Sequence, residues 1–265
     1  MIDPRALALE CLSECTPSLK CSKTMLAEAH IGATGLSIGT HEPIAIPIPG
    51  RPARPELVAP RELKHRKLKT LHGRAALVHA VAHIEFNAIN LAWDAVYRFP
   101  GLPDAFYRDW ASVAADEARH FSMLHDRLTD LGFAYGDFPA HNGLWQMAVD
   151  TAHDLVARMA LVPRVLEARG LDVTPGMIER LLAAGDDDTV ARLRIILAEE
   201  VRHVAIGSRW FNYACEQQNL EPRSTFRAML ERYGMDRVRG PFNFPARMAA
   251  GFDAEEMAML ESLGA

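Results

Sequence analysis

Apolar residues recur every three or four positions along most of the chain after residue 70, which is the spacing of one face of an α-helix. Alternation of the kind found in half-buried strands is nearly absent. Shorter amphipathic segments within 3–36 predict one or two short helices. The pattern predicts long helices over 71–98, 103–131, 143–169, 175–184 and 188–217, and a mixed region from 222. It is typical of an all-α helical bundle.

Proline and capping residues predict where these elements begin and end. Residues 40–60 contain six prolines and predict an extended arm or linker. Thr174-Pro175 predicts a helix start, and Asp253 followed by Glu256 predicts a capping box. Pro163 predicts a kink or a break in its helix, which could move Glu167 off the ideal ligand position. The chain is thereby divided into N-terminal helices with a proline-rich arm (1–70), a helical bundle (71–218) and a C-terminal helical extension (219–265).

Composition is that of a soluble globular protein. The 265 residues are 49% hydrophobic and 24% charged, and the net charge of −5 argues against a chain that coats nucleic acid or membrane. Four cysteines are too few for a disulfide framework, which favours reduced thiols in the cytoplasm. The most apolar stretch, 75–93, carries Glu85, so we interpret it as the central helix of a soluble bundle and predict no membrane span. The N-terminus does not predict an export signal.

Two five-residue strings share the pattern acid-Glu-x-Arg-His. They are Asp116-Glu117-Ala118-Arg119-His120 and Glu199-Glu200-Val201-Arg202-His203. In each, a glutamate and a histidine three positions apart lie on an otherwise apolar stripe. A buried carboxylate needs a compensating charge, and a metal cation supplies it while also binding neutral imidazole. A third match, Glu62 to His65, lies in a lysine-rich polar stretch and is set aside.

A lone glutamate precedes each string by a similar interval. Glu85 lies 32 residues before Glu117, and Glu167 lies 33 residues before Glu200. This interval returns an antiparallel helix to the same level of a bundle. We therefore predict one metal site with the ligands Glu85, Glu117, His120, Glu167, Glu200 and His203. The alternatives are accidental surface patches and, for Glu167, a surface ion pair with Arg164.

Four glutamates and two histidines in the order Glu, Glu-x-x-His, Glu, Glu-x-x-His resemble the ferritin-like di-iron carboxylate superfamily. The five-residue strings are similar to those of bacterial di-iron oxygenases and hydroxylases. Residues 71–260, with ARHFSMLHDRL, EEVRHVAIG and GPFNFPARMAAGF, are similar to the bacterial DUF455 family. The resemblance implies a ferritin-like four-helix bundle. It also implies that Asp116 and Glu199, if not paired with the arginine three residues later, orient a ligating imidazole.

The donor set suits two iron ions, with manganese as an alternative. Together with the resemblance, it leads us to expect an O₂-dependent oxidoreductase, a hydroxylase or oxidase, acting on a small-molecule substrate. No Rossmann or flavin fingerprint is present in the sequence, so electrons would come from an external donor. Alternatives are an iron-binding, ferroxidase-type protein without an organic substrate, and a bundle whose metal has no catalytic use. The basic run 61–74 raises a less favoured alternative, a tRNA-modifying hydroxylase, and the extra terminal segments could form a homodimer.

Overall fold

The computed structural model describes residues 1–63, 67–235 and 238–264, and within these ranges the only regular secondary structure is helical. The all-α class is thus confirmed. The α-helices are α1 (Pro4–Ser13), α2 (Pro17–Ala33), α3 (Leu71–Arg98), α4 (Asp104–Asp130), α5 (Gly143–Asp150), α6 (Leu155–Leu161), α7 (Ala168–Leu182), α8 (Asp187–Gln217), α9 (Pro222–Arg232), α10 (Phe244–Ala249) and α11 (Ala254–Gly264). Residues 64–66 of the predicted basic run, and with them the histidine of the third Glu-x-x-His match, lie outside the described residues.

Two compact units make up the chain. The first consists of 1–149 and 180–192, and the second of 150–179 and 193–265. The division proposed from the sequence, at residues 70 and 218, stays a prediction.

Helix α3 is central to the first unit, where it packs against α4 and α1 while α2 packs against α4. Thr70 caps its start, because the Thr70 side chain accepts a hydrogen bond from the Gly73 amide at 3.0 Å. The helix is buried almost all round, with Trp93 fully covered. Among the described residues α3 alone is long and apolar enough to cross a membrane, and 72% of that apolar window is buried inside the protein. Such burial is consistent with a soluble protein.

The proline-rich arm, residues 40–60, lies extended along the first unit, as predicted. Side chains of other segments hold its backbone. The Arg98 guanidinium donates to the Ile44 carbonyl at 2.8 Å, and the Trp145 indole donates to the Pro47 carbonyl at 3.1 Å. Near its end, the arm forms an isolated β-bridge between Leu57 and Ala140.

The single helix predicted over 143–169 is wrong. Helix α5 ends at Asp150 and α6 begins at Leu155, because the Asp154 carboxylate caps the new start by accepting from the Val156 amide at 2.8 Å. At Pro163, where a kink or a break is predicted, the structure has a π-helical turn, Val162–Glu167. Proline lacks the amide hydrogen of a regular turn and its ring crowds the preceding turn, so the helix widens locally.

The helix start predicted at Thr174-Pro175 is also wrong, since Pro175 lies inside the continuous helix α7. Leu171, Ile178 and Leu181 are buried along α7. Burial of this stripe outweighs the roughly 3 kcal/mol that an internal proline costs.

The C-terminal residues of the second unit are helical, as predicted. The capping box at the start of α11 is confirmed: the Glu256 amide donates to Asp253 at 2.8 Å, and the Asp253 amide donates back to Glu256 at 3.1 Å. Arg247 of α10 is buried and bonds Asp172 of α7 through two nitrogens, at 2.9 and 2.7 Å.

Candidate metal centre

Three of the six predicted ligands meet inside the first unit. Glu85 projects from the middle of α3, and Glu117 and His120 project from one face of α4. All three are buried, with exposed fractions of 4%, 1% and 0%. Their neighbours on α4, such as Ala114, Phe121 and Leu124, are buried too, as the predicted helix phase requires.

The donor atoms of these three side chains lie close to one another. His120 Nδ1 is 3.2 Å from Glu85 Oε2 and 3.5 Å from Glu117 Oε2. One donor atom from each residue lies within 4.8 Å of the others. A buried Glu/His cluster of this size could hold a metal ion.

The electrostatics of this buried cluster favour a cation. Burial, followed by the charge of Glu117, raises the pKa of Glu85 to about 8. Burial lowers the pKa of His120, but hydrogen bonds and charges from Glu117 and Glu85 outweigh it and raise that pKa to about 11. Burial and mutual repulsion thus disfavour two negative charges side by side, and a divalent cation would offset them.

The second Glu-x-x-His pair lies on α8 in the second unit. Glu200 is 9% exposed and His203 is fully buried, and Glu200 Oε1 lies 3.2 Å from His203 Nδ1. The buried residues Leu193, Ile196 and Val204 share their stripe, so the helix phase is the predicted one. The neighbouring Glu199 is partly exposed.

Glu167 is the last residue of the π-helical turn and is partly exposed. Arg164, considered above as its surface partner, is buried and bonds Glu256 of α11 at 2.6 Å. The surface-pair alternative for Glu167 is therefore wrong.

Asp116, the first residue of the first five-residue string, lies at the edge of its buried face. Its carboxylate accepts from the Arg119 guanidinium at 2.6 Å, which is one of the two arrangements considered for it. Asp116 and Glu199 are both more exposed than the glutamates beside them.

His79 and His83 of α3 contact Tyr135, a residue that the sequence does not predict to be important. His83 Nδ1 lies 2.9 Å from the Tyr135 hydroxyl and His83 Nε2 lies 3.1 Å from the His141 carbonyl oxygen. His79 Nε2 accepts from the Gly136 amide at 3.0 Å. No sequence signal identifies Tyr135, because it lies in the loop between α4 and α5.

A cleft of about 160 Å³ lies beside the same helix. It is mainly apolar and its lining includes Ala76, Ala80, His83, Ile84, Phe138 and Leu144. Because a helix turns about 100° per residue, Ala76, Ala80 and His83 lie on the side of α3 that faces away from Glu85. The cleft is therefore separate from the three-residue cluster.

Comparison with known proteins places the chain in a family. The model of the family described as "Protein of unknown function (DUF455)" matches residues 13–258. A Haemophilus influenzae protein described as "Uncharacterized protein" is 46% identical over 213 residues, which are 78% of this chain and 74% of the relative. No solved structure matches the chain.

Proposed function

The chain belongs to the DUF455 family, and we propose that it is a dinuclear metal carboxylate protein with a ferritin-like bundle. Glu85, Glu117 and His120 are proposed to supply one part of the donor set. Glu167, Glu200 and His203 are proposed to supply the rest. Each ion would then receive carboxylates and one imidazole.

The observation that carries the proposal is the burial of Glu85 and Glu117 against His120. Burying one ionised carboxylate costs several kcal/mol, and a second one beside it adds repulsion. Proteins retain such clusters where the charges have a use. Carboxylate oxygens with imidazole nitrogen suit iron(II) and manganese(II), so the residues fit the proposed ions.

We propose that the activity is an O₂-dependent oxidation, as hydroxylase or oxidase, in the cytoplasm. Bound iron would supply the electrons that reduce dioxygen. The chain's own contribution is to hold the donors in a dry, apolar surrounding and to release protons from Glu85 and His120 when the ions bind. A small-molecule substrate and an external electron donor complete the proposed reaction.

Metal analysis tests the site. Metal-free protein reconstituted with ferrous iron under anaerobic conditions is expected to bind two ions per chain, and Glu85→Ala to lose them. Glu62→Ala is the matched control, because Glu62 begins the third Glu-x-x-His match but is exposed on a short 3₁₀ turn. At most one ion bound by the unaltered chain would refute the dinuclear site.

Oxygen uptake tests the activity. The iron-loaded protein is expected to consume dioxygen without accumulating a mineral core. Uptake of hundreds of iron atoms into a large cage would instead identify iron storage.

A further inference from the structure

The π-helical turn Val162–Glu167 is seated tightly against α8 within the second unit. A Cβ atom placed on Gly207 would overlap the ring of Pro163, so only glycine fits there. Gly207 lies one helical turn beyond His203, on the same face. The turn that carries Glu167 is therefore packed directly onto the helix face that carries His203 and Glu200.

The side chain of Arg164, in the same turn, has an unusual environment. It is 2% exposed, and its guanidinium carbon lies 4.8, 4.4 and 4.5 Å from the ring centres of Phe211, Phe226 and Phe252. Its Nη2 bonds Glu256, itself 5% exposed, at 2.6 Å. Three phenylalanines and one carboxylate thus enclose the whole charged group.

Burying this ion pair costs desolvation free energy, and stability alone does not explain why it is present. Replacing a buried ion pair with apolar side chains of similar volume is often neutral or stabilising. Arg164 also has two nitrogens, Nε and Nη1, without a hydrogen-bond partner among the described residues. Apolar side chains at both positions, 164 and 256, would fill the same space without these costs. A charged pair adds a fixed orientation, because the guanidinium of Arg164 bonds the carboxylate in a specific geometry.

We propose that Arg164 is a positioning residue for the metal centre. Its pairing with Glu256 inside the phenylalanine cage fixes the rotation of the π-helical turn, and with it the backbone position from which Glu167 extends three residues later. The inference rests on the proposed role of Glu167 as a ligand. It assigns to α11, through Glu256, an indirect role in metal binding.

The test compares Arg164→Met with Arg247→Met. Arg247 is a matched control: it is 1% exposed, pairs with Asp172 and also lies over Phe252, at 4.9 Å, but it is outside the π-helical turn. Cobalt(II) titration, followed by visible absorption, measures the affinity and ligand geometry of each ion. Arg164→Met is expected to weaken one of the two ions about 10–100-fold and to change its spectrum, the effect typical of residues that orient ligands. Arg247→Met is expected to lower the urea midpoint but to keep both ions and the spectrum.

Gly207→Ala provides an independent variant, since it displaces the π-helical turn through Pro163 and leaves Arg164 intact. It is expected to reproduce the spectral change. Hydrogen exchange of the metal-free proteins is expected to be faster at the amides of 164–168 in both variants than in the unaltered chain. If Arg164→Met and Gly207→Ala, both folded, bind two cobalt ions with unaltered affinity and spectrum, the role of Arg164 is refuted. If the unaltered chain binds no cobalt, the metal site itself is refuted.

Discussion

His120 Nδ1 lies 3.2 Å from Oε2 of Glu85, a residue 35 positions earlier on another helix. The contact joins one face of α3 to one face of α4, because the residues adjacent to Glu85 point about 100° away from it around the helix. Trp110 and Phe121 are buried on the same face of α4, one before the cluster residues and one after them. The three-residue cluster thus depends on the packing of the whole first unit.

Replacement of the two adjacent acids on α8 is expected to have unequal effects. Glu200→Ala should abolish the dinuclear site, because Glu200 is buried beside His203. Glu199→Ala should keep two ions with affinity weakened by about 10–100-fold, since Glu199 is more exposed. Metal content after reconstitution measures both, and the reverse result would show that the ligand assignment on this helix is wrong.

His79 is expected to make the protein less stable in acid. Burial, followed by the charge of His83, lowers the pKa of His79 to about 4, whereas the unfolded value is 6.5. Between these values the unfolded chain binds more protons, so the free energy of unfolding falls as the pH falls from 6.5 to 4. The loss from this group is on the order of 2–3 kcal/mol.

The variant His79→Gln tests this dependence, because its amide oxygen can still accept from the Gly136 amide. Urea unfolding at pH 7 and at pH 4.5 is expected to differ less for His79→Gln than for the unaltered chain. His125→Gln is the control, as the His125 side chain is 47% exposed. Equal pH dependence in all three proteins would exclude His79 as a cause.

Lys20 is expected to stabilise the first unit although it carries a buried charge. Its Nζ donates to the Cys11 carbonyl at 2.6 Å and to Asn90 Oδ1 at 2.7 Å. Lys20→Met would leave these acceptors unsatisfied and should lower the free energy of unfolding by about 2–3 kcal/mol. Lys23→Met removes an exposed pair with Glu14 and should leave the thermal midpoint nearly unchanged. Similar midpoints for the two variants would contradict this role of Lys20.

Two glycine-to-alanine changes should alter stability in opposite directions. A Cβ atom on Gly50 would overlap backbone atoms of Ser13 and Glu14, so Gly50→Ala should destabilise the protein by roughly 1–3 kcal/mol. A Cβ on Gly170 meets nothing within 4 Å inside helix α7, and Gly170→Ala should stabilise it by about 0.5–1 kcal/mol. Thermal unfolding of both variants provides the comparison.

The sequence predicted those elements whose ends carry their own signals. Helix α3 has the predicted limits, 71–98, because Thr70 caps it and its apolar run is continuous. The break before α6 was missed, although Asp154 is a good capping residue, because the apolar pattern continues across it. The uninterrupted course of α7 through Pro175 was also missed, because it depends on burial that a local pattern does not reveal.

The part of the candidate site that was predictable is the part encoded by the repeated acid-Glu-x-Arg-His string. The two Glu-x-x-His strings, each on an apolar helix face, predict the burial that is found for Glu117, His120, Glu200 and His203. The environment of Arg164 was not predictable, because its partners Phe226, Phe252 and Glu256 are distant from it in sequence. Contacts of this kind depend on tertiary packing alone.

The way in which the proline-rich arm is held determines which amino-acid substitutions this part of the chain can accept. Its backbone shape is set by donors outside it: the Arg98 and Trp145 side chains bond the Ile44 and Pro47 carbonyls. Carbonyl oxygens are common to every residue type, so the arm's own side chains are free to diverge wherever they do not pack. Substitutions at Arg98 or Trp145, by contrast, would alter the path of a segment to which neither residue belongs. The backbone path of the arm thus depends on side chains of the helices, and it persists only where those side chains are retained.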